Sequence, residues 1–211
     1  MCHQGSVYPA SFAAVPHLVS AAVGQPDAEF RAQLLILVGS IRASTDYRGE
    51  SKPPIDISEA YEAALSPALE SAVATLRDPL DADTAIYLLE AAAALKGFGG
   101  PGRVLSGFSG REFALTCPGC DRQLYVWPET DGFSVAAEDP VSQPKTNRTP
   151  TRPGPAPASE EAAAFSWVLG LARDAGLGEV TRLLPHLFGV VVCPACEKSF
   201  DLMKRLTEEM S

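Results

Sequence analysis

The sequence is poor in the residues from which enzyme sites and nucleic-acid interfaces are most often built. It has only three histidines and two tryptophans, and 17 Lys and Arg residues stand against 26 Asp and Glu residues, for a net charge of −9. Proteins that bind the phosphate backbone depend on Lys and Arg to displace counterions. The charge balance therefore disfavours nucleic acid as a general partner, although it leaves room for a local basic patch.

Several catalytic and targeting motifs are absent as well. The chain has no G-x-S-x-G turn, no phosphate-binding loop, no H-E-x-x-H and no glycine-rich dinucleotide turn. We therefore expect the protein not to be an enzyme. The uncharged stretch 4–26 is interrupted by Pro9 and Pro16, and residues 1–24 lack the basic residues of a secretion signal. We expect a cytoplasmic protein with no membrane partner.

Against these absences, cysteine is present in a definite pattern. Four of the five cysteines form two C-P-x-C motifs, Cys117 with Cys120 and Cys193 with Cys196. C-x₂-C is the spacing that lets two thiolates from one tight turn reach one metal ion, and Zn²⁺ takes four such ligands. Extended apolar residues flank both motifs. The pattern predicts a split zinc ribbon with a shared structural Cys₄ site.

Residues 121–192 separate the two motifs, which is far more than the usual ribbon spacing of roughly 15–20 residues. We interpret the excess as an insertion between the two halves of one ribbon. Other interpretations remain open at this point. An iron site of the rubredoxin type uses the same ligands, the two pairs could be unrelated, and a thioredoxin-type redox pair would need a βαβ context that is lacking here.

The residue after the second cysteine of each motif, often glycine in zinc ribbons, is Asp121 in one and Glu197 in the other. This departure leaves the backbone geometry around the sulfurs open. Three histidine-containing features are candidates for further ligands or bases. We expect Cys2 and His3 to form an unstructured terminal pair, His17 to be an ordinary helix residue, and His186 to be at most a second-layer neighbour of the metal.

The N-terminal half predicts helices. Apolar periodicity places them over 9–24, with a break or restart at Pro16, over 28–43 after an Asp27 cap, over 56–77, and over 81–96. In the second of these we expect one buried stripe: Phe30, Leu34, Leu37, Val38 and Ile41. The segments 15–18 and 66–69 match at an offset of about 51 residues, which predicts stacked helical hairpins. A plain four-helix bundle is the alternative.

The C-terminal half predicts strands at 112–116, 123–127, 133–136, 189–192 and 199–203 around the cysteines. Residues 138–159 contain six prolines and almost no large apolar side chains, so we expect a disordered linker there rather than a recognition segment. Inserted helices should follow over 160–188. The predicted domains are a helical repeat domain, 1–100, and a zinc-ribbon domain, 101–211, in a fold that is mainly α with a small β part.

Three stretches carry a family resemblance: 3–10, 14–19, and Leu187-Phe188-Gly189 running into the second cysteine motif. Together they resemble bacterial, especially actinobacterial, HEAT-repeat-like proteins of unassigned function that carry a C-terminal Cys₄ zinc ribbon. The resemblance covers about two thirds of the chain. It implies a helical repeat scaffold that binds a protein partner, and it implies nothing about chemistry because fold does not fix function.

The preferred hypothesis is a non-catalytic protein–protein interaction module braced by zinc. The alternative is a zinc ribbon associated with nucleic acid or transcription. Its basic and aromatic residues near the cysteines would be these: Arg111, Arg122, Tyr125, Trp127, Lys198, Lys204 and Arg205. An enzyme is the third and least favoured class. The sequence does not identify the partner or the oligomeric state.

Overall fold

The computed structural model describes residues 2–3, 6–48, 52–98, 104–110, 113–139, 148–150 and 160–209. It confirms a mainly helical fold with small antiparallel sheets. The chain divides into two compact units. The first comprises Met1–Ser106 with Gly170–Leu177, and the second comprises Gly107–Leu169 with Gly178–Ser211. The helices predicted as an insertion over 160–188 therefore contribute residues to both units.

Four helices make up most of the first unit: α1 (Pro9–Val23), α2 (Ala28–Arg48), α3 (Ile55–Thr75) and α4 (Ala82–Leu95). The main packing contacts join α1 to α2, α3 to α4, α1 to α3 and α2 to α4. Each helix thus packs on its partner within a hairpin and on its counterpart in the other hairpin. This is the arrangement that two adjacent helical hairpins produce when they bury their apolar faces against each other.

The buried stripe predicted for α2 is confirmed at Val38 and Ile41 but wrong at Phe30, Leu34 and Leu37. Ala32, Leu35, Val38 and Ile41 are fully buried, whereas Phe30 is 49% exposed and Leu34 is only partly covered. The reason is the close approach of α2 to α4: a Cβ on Gly39 would lie 2.3 Å from the Cβ of Ala91. Only a glycine at this position lets the backbones meet, so Gly39 sets which side of α2 faces inward.

The prolines do not set the register of the repeat. The buried residues of α1 align with those of α3: Phe12 with Tyr61, Val15 with Ala64 and Val19 with Ala68. This alignment has an offset of about 49 residues rather than 51. The Phe12 and Tyr61 rings pack edge to face, with centroids 5.3 Å apart. Pro16 and Pro67 both lie inside continuous helices, so the predicted break at Pro16 is not found.

Side-chain caps begin two of these helices. Asp27 accepts a hydrogen bond from the backbone N–H of Phe30 at 2.8 Å, as predicted. Asp81 accepts one from the backbone N–H of Thr84 at 3.0 Å, and the hydroxyl of Thr84, followed by this N–H, lowers the pKa of the Asp81 carboxyl. Both caps satisfy N–H groups that a helix leaves without an internal partner.

The first unit also contains a short strand pair and a 3₁₀ turn. Strand β1 (Cys2–His3) pairs with β2 (Ser6–Val7). The backbone of Cys2 and His3 therefore forms a strand, and the prediction of an unstructured terminal pair is wrong. A 3₁₀ turn follows α4 at Val104–Ser106, and the N–H of Ser106 donates to a carboxylate oxygen of Glu90 at 2.8 Å.

The second unit contains a four-stranded antiparallel sheet and a separate two-stranded hairpin. The larger sheet has the order β3 (Phe113–Thr116), β4 (Gln123–Glu129), β5 (Gly132–Ala136) and β6 (Arg148–Pro150), and the hairpin joins β7 (Val190–Val192) to β8 (Ser199–Asp201). The predicted strands are confirmed at 113–116, 123–127, 133–136, 190–192 and 199–201, whereas 202–203 belong to a helix, Gly189 precedes β7, and Glu112 lies outside the described residues. Strand β6 lies within the segment predicted as a disordered linker, and the rest of that segment from 140 onward lies outside the described residues.

The remaining helices are α5 (Gly107–Gly110), α6 (Glu160–Asp174), α7 (Gly178–Leu187) and α8 (Leu202–Glu209), and all of them belong to the second unit except the end of α6 from Gly170 onward. The predicted apolar face of α7 is confirmed, with Val180, Leu183, Leu184 and Leu187 buried although Pro185 lies inside the helix. Phe108 of α5 forms an aromatic cluster with Phe113 of β3 and Phe133 of β5. No helix in the described part of the chain has the length and apolar character needed to cross a membrane.

Candidate metal centre

The first cysteine motif forms a tight turn between β3 and β4. Cys117 donates its backbone N–H to the carbonyl of Arg122 at 2.8 Å and accepts at its own carbonyl from the N–H of Asp121 at 3.0 Å. The N–H of Gly119 points at the sulfur of Cys117 with a distance of 3.3 Å. The turn therefore closes on itself and supplies a donor to one of its thiolates.

The second motif repeats this conformation between β7 and β8. The backbone N–H of Cys193 donates to the carbonyl of Lys198 at 3.0 Å, and its own carbonyl accepts from the N–H of Glu197 at 3.0 Å. The N–H of Ala195 lies 3.4 Å from the Cys193 sulfur. Each bond has its equivalent in the first turn. The two halves of the centre are thus structural copies, as the matched C-P-x-C motifs predict.

The four cysteine sulfurs come together, although 121–192 separate the two motifs. All four lie within 4.8 Å of one another, with 3.6 Å between Cys117 and Cys196 and 3.9 Å between Cys120 and Cys193. A tetrahedron with bonds of about 2.3 Å from zinc to sulfur has edges of about 3.8 Å. Disulfide sulfurs are bonded at about 2.0 Å. The cluster therefore has the dimensions of a metal site and not of two disulfides.

The residue after each motif adopts a left-handed backbone conformation, with φ of 55° at Asp121 and 61° at Glu197. This is the conformation that glycine adopts without a steric cost, and it explains why glycine is frequent there in other ribbons. Asp visits this region more readily than most residues. Glu197 is consequently the more strained of the two, but its presence does not disturb the N–H···S geometry.

Direct contacts join the two turns. Lys198, after the second turn, donates from Nζ to the carbonyl of Pro118 in the first turn at 3.1 Å. Gly119 lies against the same lysine: a Cβ there would be 3.1 Å from the Cβ of Lys198 and 3.2 Å from the sulfur of Cys196. The equivalent residue of the second turn is Ala195. Only the first turn therefore requires a residue without a Cβ at this position.

Helix α8 ties the second half of the ribbon to the first. Its Arg205 donates from Nε to the carbonyl of Thr116 at 2.7 Å, and its Glu209 accepts from the N–H of Thr116 at 2.9 Å. Arg205 also forms ion pairs with Glu208 and Glu209. Since Thr116 immediately precedes Cys117, the helix that follows the second turn fixes the strand that enters the first.

The sulfurs differ in their electrostatic surroundings. Burial raises the pKa of the Cys117 thiol, but hydrogen bonds from the N–H groups of Gly119 and Cys120 and from the neighbouring Cys193 and Cys196 together lower that pKa to about 7. At Cys196 the N–H of Lys198 lowers the pKa, whereas desolvation and the neighbouring sulfurs prevail and raise it to about 12. A bound divalent cation would favour the thiolate form at all four positions.

The other predicted candidates lie elsewhere. The His186 imidazole is placed against Gly132 at the β4–β5 turn and adds no ligand to the cysteine cluster, and His17 is exposed on α1. Arg111 falls outside the described residues. The side chains of Cys2 and His3 are outside them too.

Sequence reasoning missed α8 and its contacts with Thr116. Its signals were present: Asp201 caps the helix by accepting from the N–H of Lys204 at 2.9 Å, and Arg205 and Glu209 are spaced as an i, i+4 pair. The run Ser199–Met203, predicted as one strand, divides after Asp201 into β8 and α8.

Comparisons with protein-family models, with curated proteins and with solved structures find no match to this chain. The helical N-terminal region and the four-cysteine cluster of the resemblance are present in the structure. The membership of a HEAT-repeat-like family stays a prediction.

Proposed function

We propose that the protein is a non-catalytic protein–protein interaction scaffold or adaptor, working in the cytoplasm and braced by one structural Zn²⁺ in a split ribbon. The ion is held by Cys117, Cys120, Cys193 and Cys196. The observation that carries the proposal is the composition of this cluster: four sulfurs and no other ligand among the described residues. A shell closed by four protein ligands leaves no position for water or substrate, and such sites are structural.

The helical first unit supports the scaffold part of the proposal. Paired helical hairpins expose continuous helix surfaces on a rigid core, which is how helical repeat proteins bind their partners. We infer a HEAT-like repeat from the matched burial of α1 with α3 and from the pairing of α2 with α4. The partner in this proposal is a protein and neither a membrane nor, in the first instance, a nucleic acid.

The nucleic-acid alternative has less support from the residues around the cysteines. Arg205 is engaged by Glu208, Glu209 and the carbonyl of Thr116, and Lys198 donates to the carbonyl of Pro118. Both cations serve the internal structure of the ribbon. Phosphate binding needs cations that are free to displace counterions.

The test is purification of the tagged full chain from its native cells, followed by reconstitution with each candidate partner in purified form. The proposal expects one protein that binds the purified chain at a defined stoichiometry. Binding of DNA or RNA that weakens steeply with salt, with no protein partner reconstituted, would replace it with the alternative. Iron rather than zinc in the purified protein would overturn the assignment of the ion but not of the ligands.

A further inference from the structure

The outer surface of α1 is exposed to solvent but carries no formal charge. Its exposed residues recur at helical spacing along the whole helix: Pro9, Ala10, Ala13, His17, Ser20, Ala21 and Val23. No Asp, Glu, Lys or Arg occurs anywhere in the helix. Solvated faces of surface helices normally carry charged side chains. This face is therefore suited to contact with another apolar surface.

The neighbouring helix α3 has the opposite character. It carries four carboxylates and no Lys or Arg, and each carboxylate is exposed: Asp56, Glu59, Glu62 and Glu70. Since α1 packs against α3 within the first unit, an uncharged surface and a purely acidic one lie side by side. We call this surface the α1–α3 face.

A groove of about 530 Å³ lies on this face. Val23 of α1 and Pro67 and Ala74 of α3 give it an apolar lining, and Val23 is 64% exposed. Glu70 stands beside them and receives only a long 3.4 Å hydrogen bond from the hydroxyl of Ser66. The groove thus combines an apolar surface with a carboxylate that has no ion-pair partner among the described residues.

The one cation that lines the groove is already used. Arg31 forms an ion pair with Asp78 and donates to the hydroxyl of Thr75 at 2.9 Å and to the carbonyl of Gln25. These bonds hold its guanidinium within the first unit and neutralise Asp78. The charge that the groove presents to an incoming ligand is therefore the negative charge of Glu70.

We propose that this groove binds a segment of a partner protein in which a Lys or Arg stands next to apolar side chains. This inference rests on the proposed scaffold function and specifies the chemistry of its partner. The cation faces Glu70, and the apolar neighbours pack on Val23, Pro67 and Ala74. Further cations of the segment follow the carboxylates of α3 toward Asp56. Complementary charge of this kind selects the partner and speeds its association.

The experiment uses the full zinc-loaded chain and two fluorescein-labelled peptides. One is a short peptide of lysine, leucine and proline, and the other has glutamate in place of every lysine. Fluorescence anisotropy at low ionic strength should show saturable binding of the first peptide and none of the second. Equal binding of both peptides, or binding of neither, would overturn the proposal.

Charge reversal locates the site. Glu70→Lys should weaken binding of the lysine peptide about tenfold or more, because like charges then face each other. Asp174→Lys makes the same change of charge at an exposed position off the α1–α3 face and should leave binding within about twofold. Equal losses in the two variants would mean that only net charge matters, which contradicts a site in the groove.

Loss of the apolar contact is tested with Val23→Ser. Because this side chain is largely exposed, the change leaves the fold intact, and circular dichroism and thermal unfolding should match the unchanged protein. Peptide binding should weaken about fivefold as the apolar contact is lost. Unchanged affinity in this variant would exclude the groove.

Two outcomes separate this inference from the proposed function. If the reconstituted natural partner binds Glu70→Lys as well as it binds the unchanged protein, the α1–α3 face is not its site, while the scaffold function stands. If no protein partner can be reconstituted at all, the scaffold function itself fails. Sedimentation of the free chain decides a third case: a dimer broken by Glu70→Lys would assign the face to a second copy.

Discussion

The left-handed residue after each cysteine turn allows a direct test of the ribbon geometry. Glu197 has φ of 61°, a conformation that costs an ordinary residue about 1–2 kcal/mol. Replacing it by glycine removes that cost but adds about 0.5–1 kcal/mol of backbone entropy lost on folding. Glu197→Gly should therefore stabilise the zinc-loaded protein by about 0.5–1 kcal/mol.

Two companion variants separate the backbone effect from the effect of charge. Glu197→Ala removes the same carboxylate near the thiolates but keeps a Cβ, so it should not reproduce the gain. Asp121→Gly should gain less, because aspartate tolerates its φ of 55° better than glutamate would. A larger gain at Asp121 than at Glu197 would contradict the argument from strain.

The assay is competition for zinc with a chromophoric chelator, together with denaturant unfolding at saturating zinc. Since metal binding and folding of the ribbon are coupled, a gain of about 1 kcal/mol should raise the apparent zinc affinity about fivefold. Two results would contradict the strained geometry of this turn. One is that Glu197→Gly destabilises the protein. The other is that Glu197→Gly leaves the zinc affinity unchanged while Glu197→Ala raises it.

Three further predictions concern close contacts and one carboxylate. Gly39→Ala should destabilise the first unit by about 1–3 kcal/mol, since its Cβ would overlap α4, whereas Gly170→Ala, with open space around it, should be neutral or stabilising; thermal unfolding checks both. Gly119→Ala should lower the apparent zinc affinity in the chelator assay, and Ala195→Gly should have a smaller effect. The pKa of Glu209 is lowered first by the N–H of Thr116 and then by Arg205. In Glu209→Gln the free energy of unfolding should therefore fall less steeply as the pH is lowered.

The sign of the Glu209 effect follows from proton linkage. A carboxyl whose pKa is lower in the folded state contributes stability that is fully present above its ordinary pKa of 4.5 and is lost as the pH falls through the lowered value. Comparison of the unchanged protein with Glu209→Gln cancels the acid loss of zinc that both share. Identical pH profiles would show that the ionisation of Glu209 adds nothing to stability.

The metal centre could be predicted from the sequence because its information is local. A C-x₂-C turn encodes its own hydrogen bonds, and both turns fold alike with 121–192 between them. The α2 register could not be predicted in the same way. The apolar run 34–38 contains two overlapping stripes, and the choice between them depends on the contact of Gly39 with Ala91, which is a tertiary fact.

The C-terminal end shows a second limit. Helix α8 contains only eight residues, so its apolar period is too short to separate a helix from a strand. Its cap at Asp201 was the stronger signal. Strand β6 could not be predicted from the sequence either, because a three-residue strand in a proline-rich segment depends on pairing with β5 rather than on its own composition.

Metal content per chain, measured on the purified protein and on two single cysteine variants, tests the shared site most directly. One zinc per chain is expected, and it should be lost in Cys117→Ser and in Cys193→Ser alike, because each turn supplies half of the ligands. Two ions per chain, or a full ion retained when either turn is disrupted, would contradict a single centre built from both.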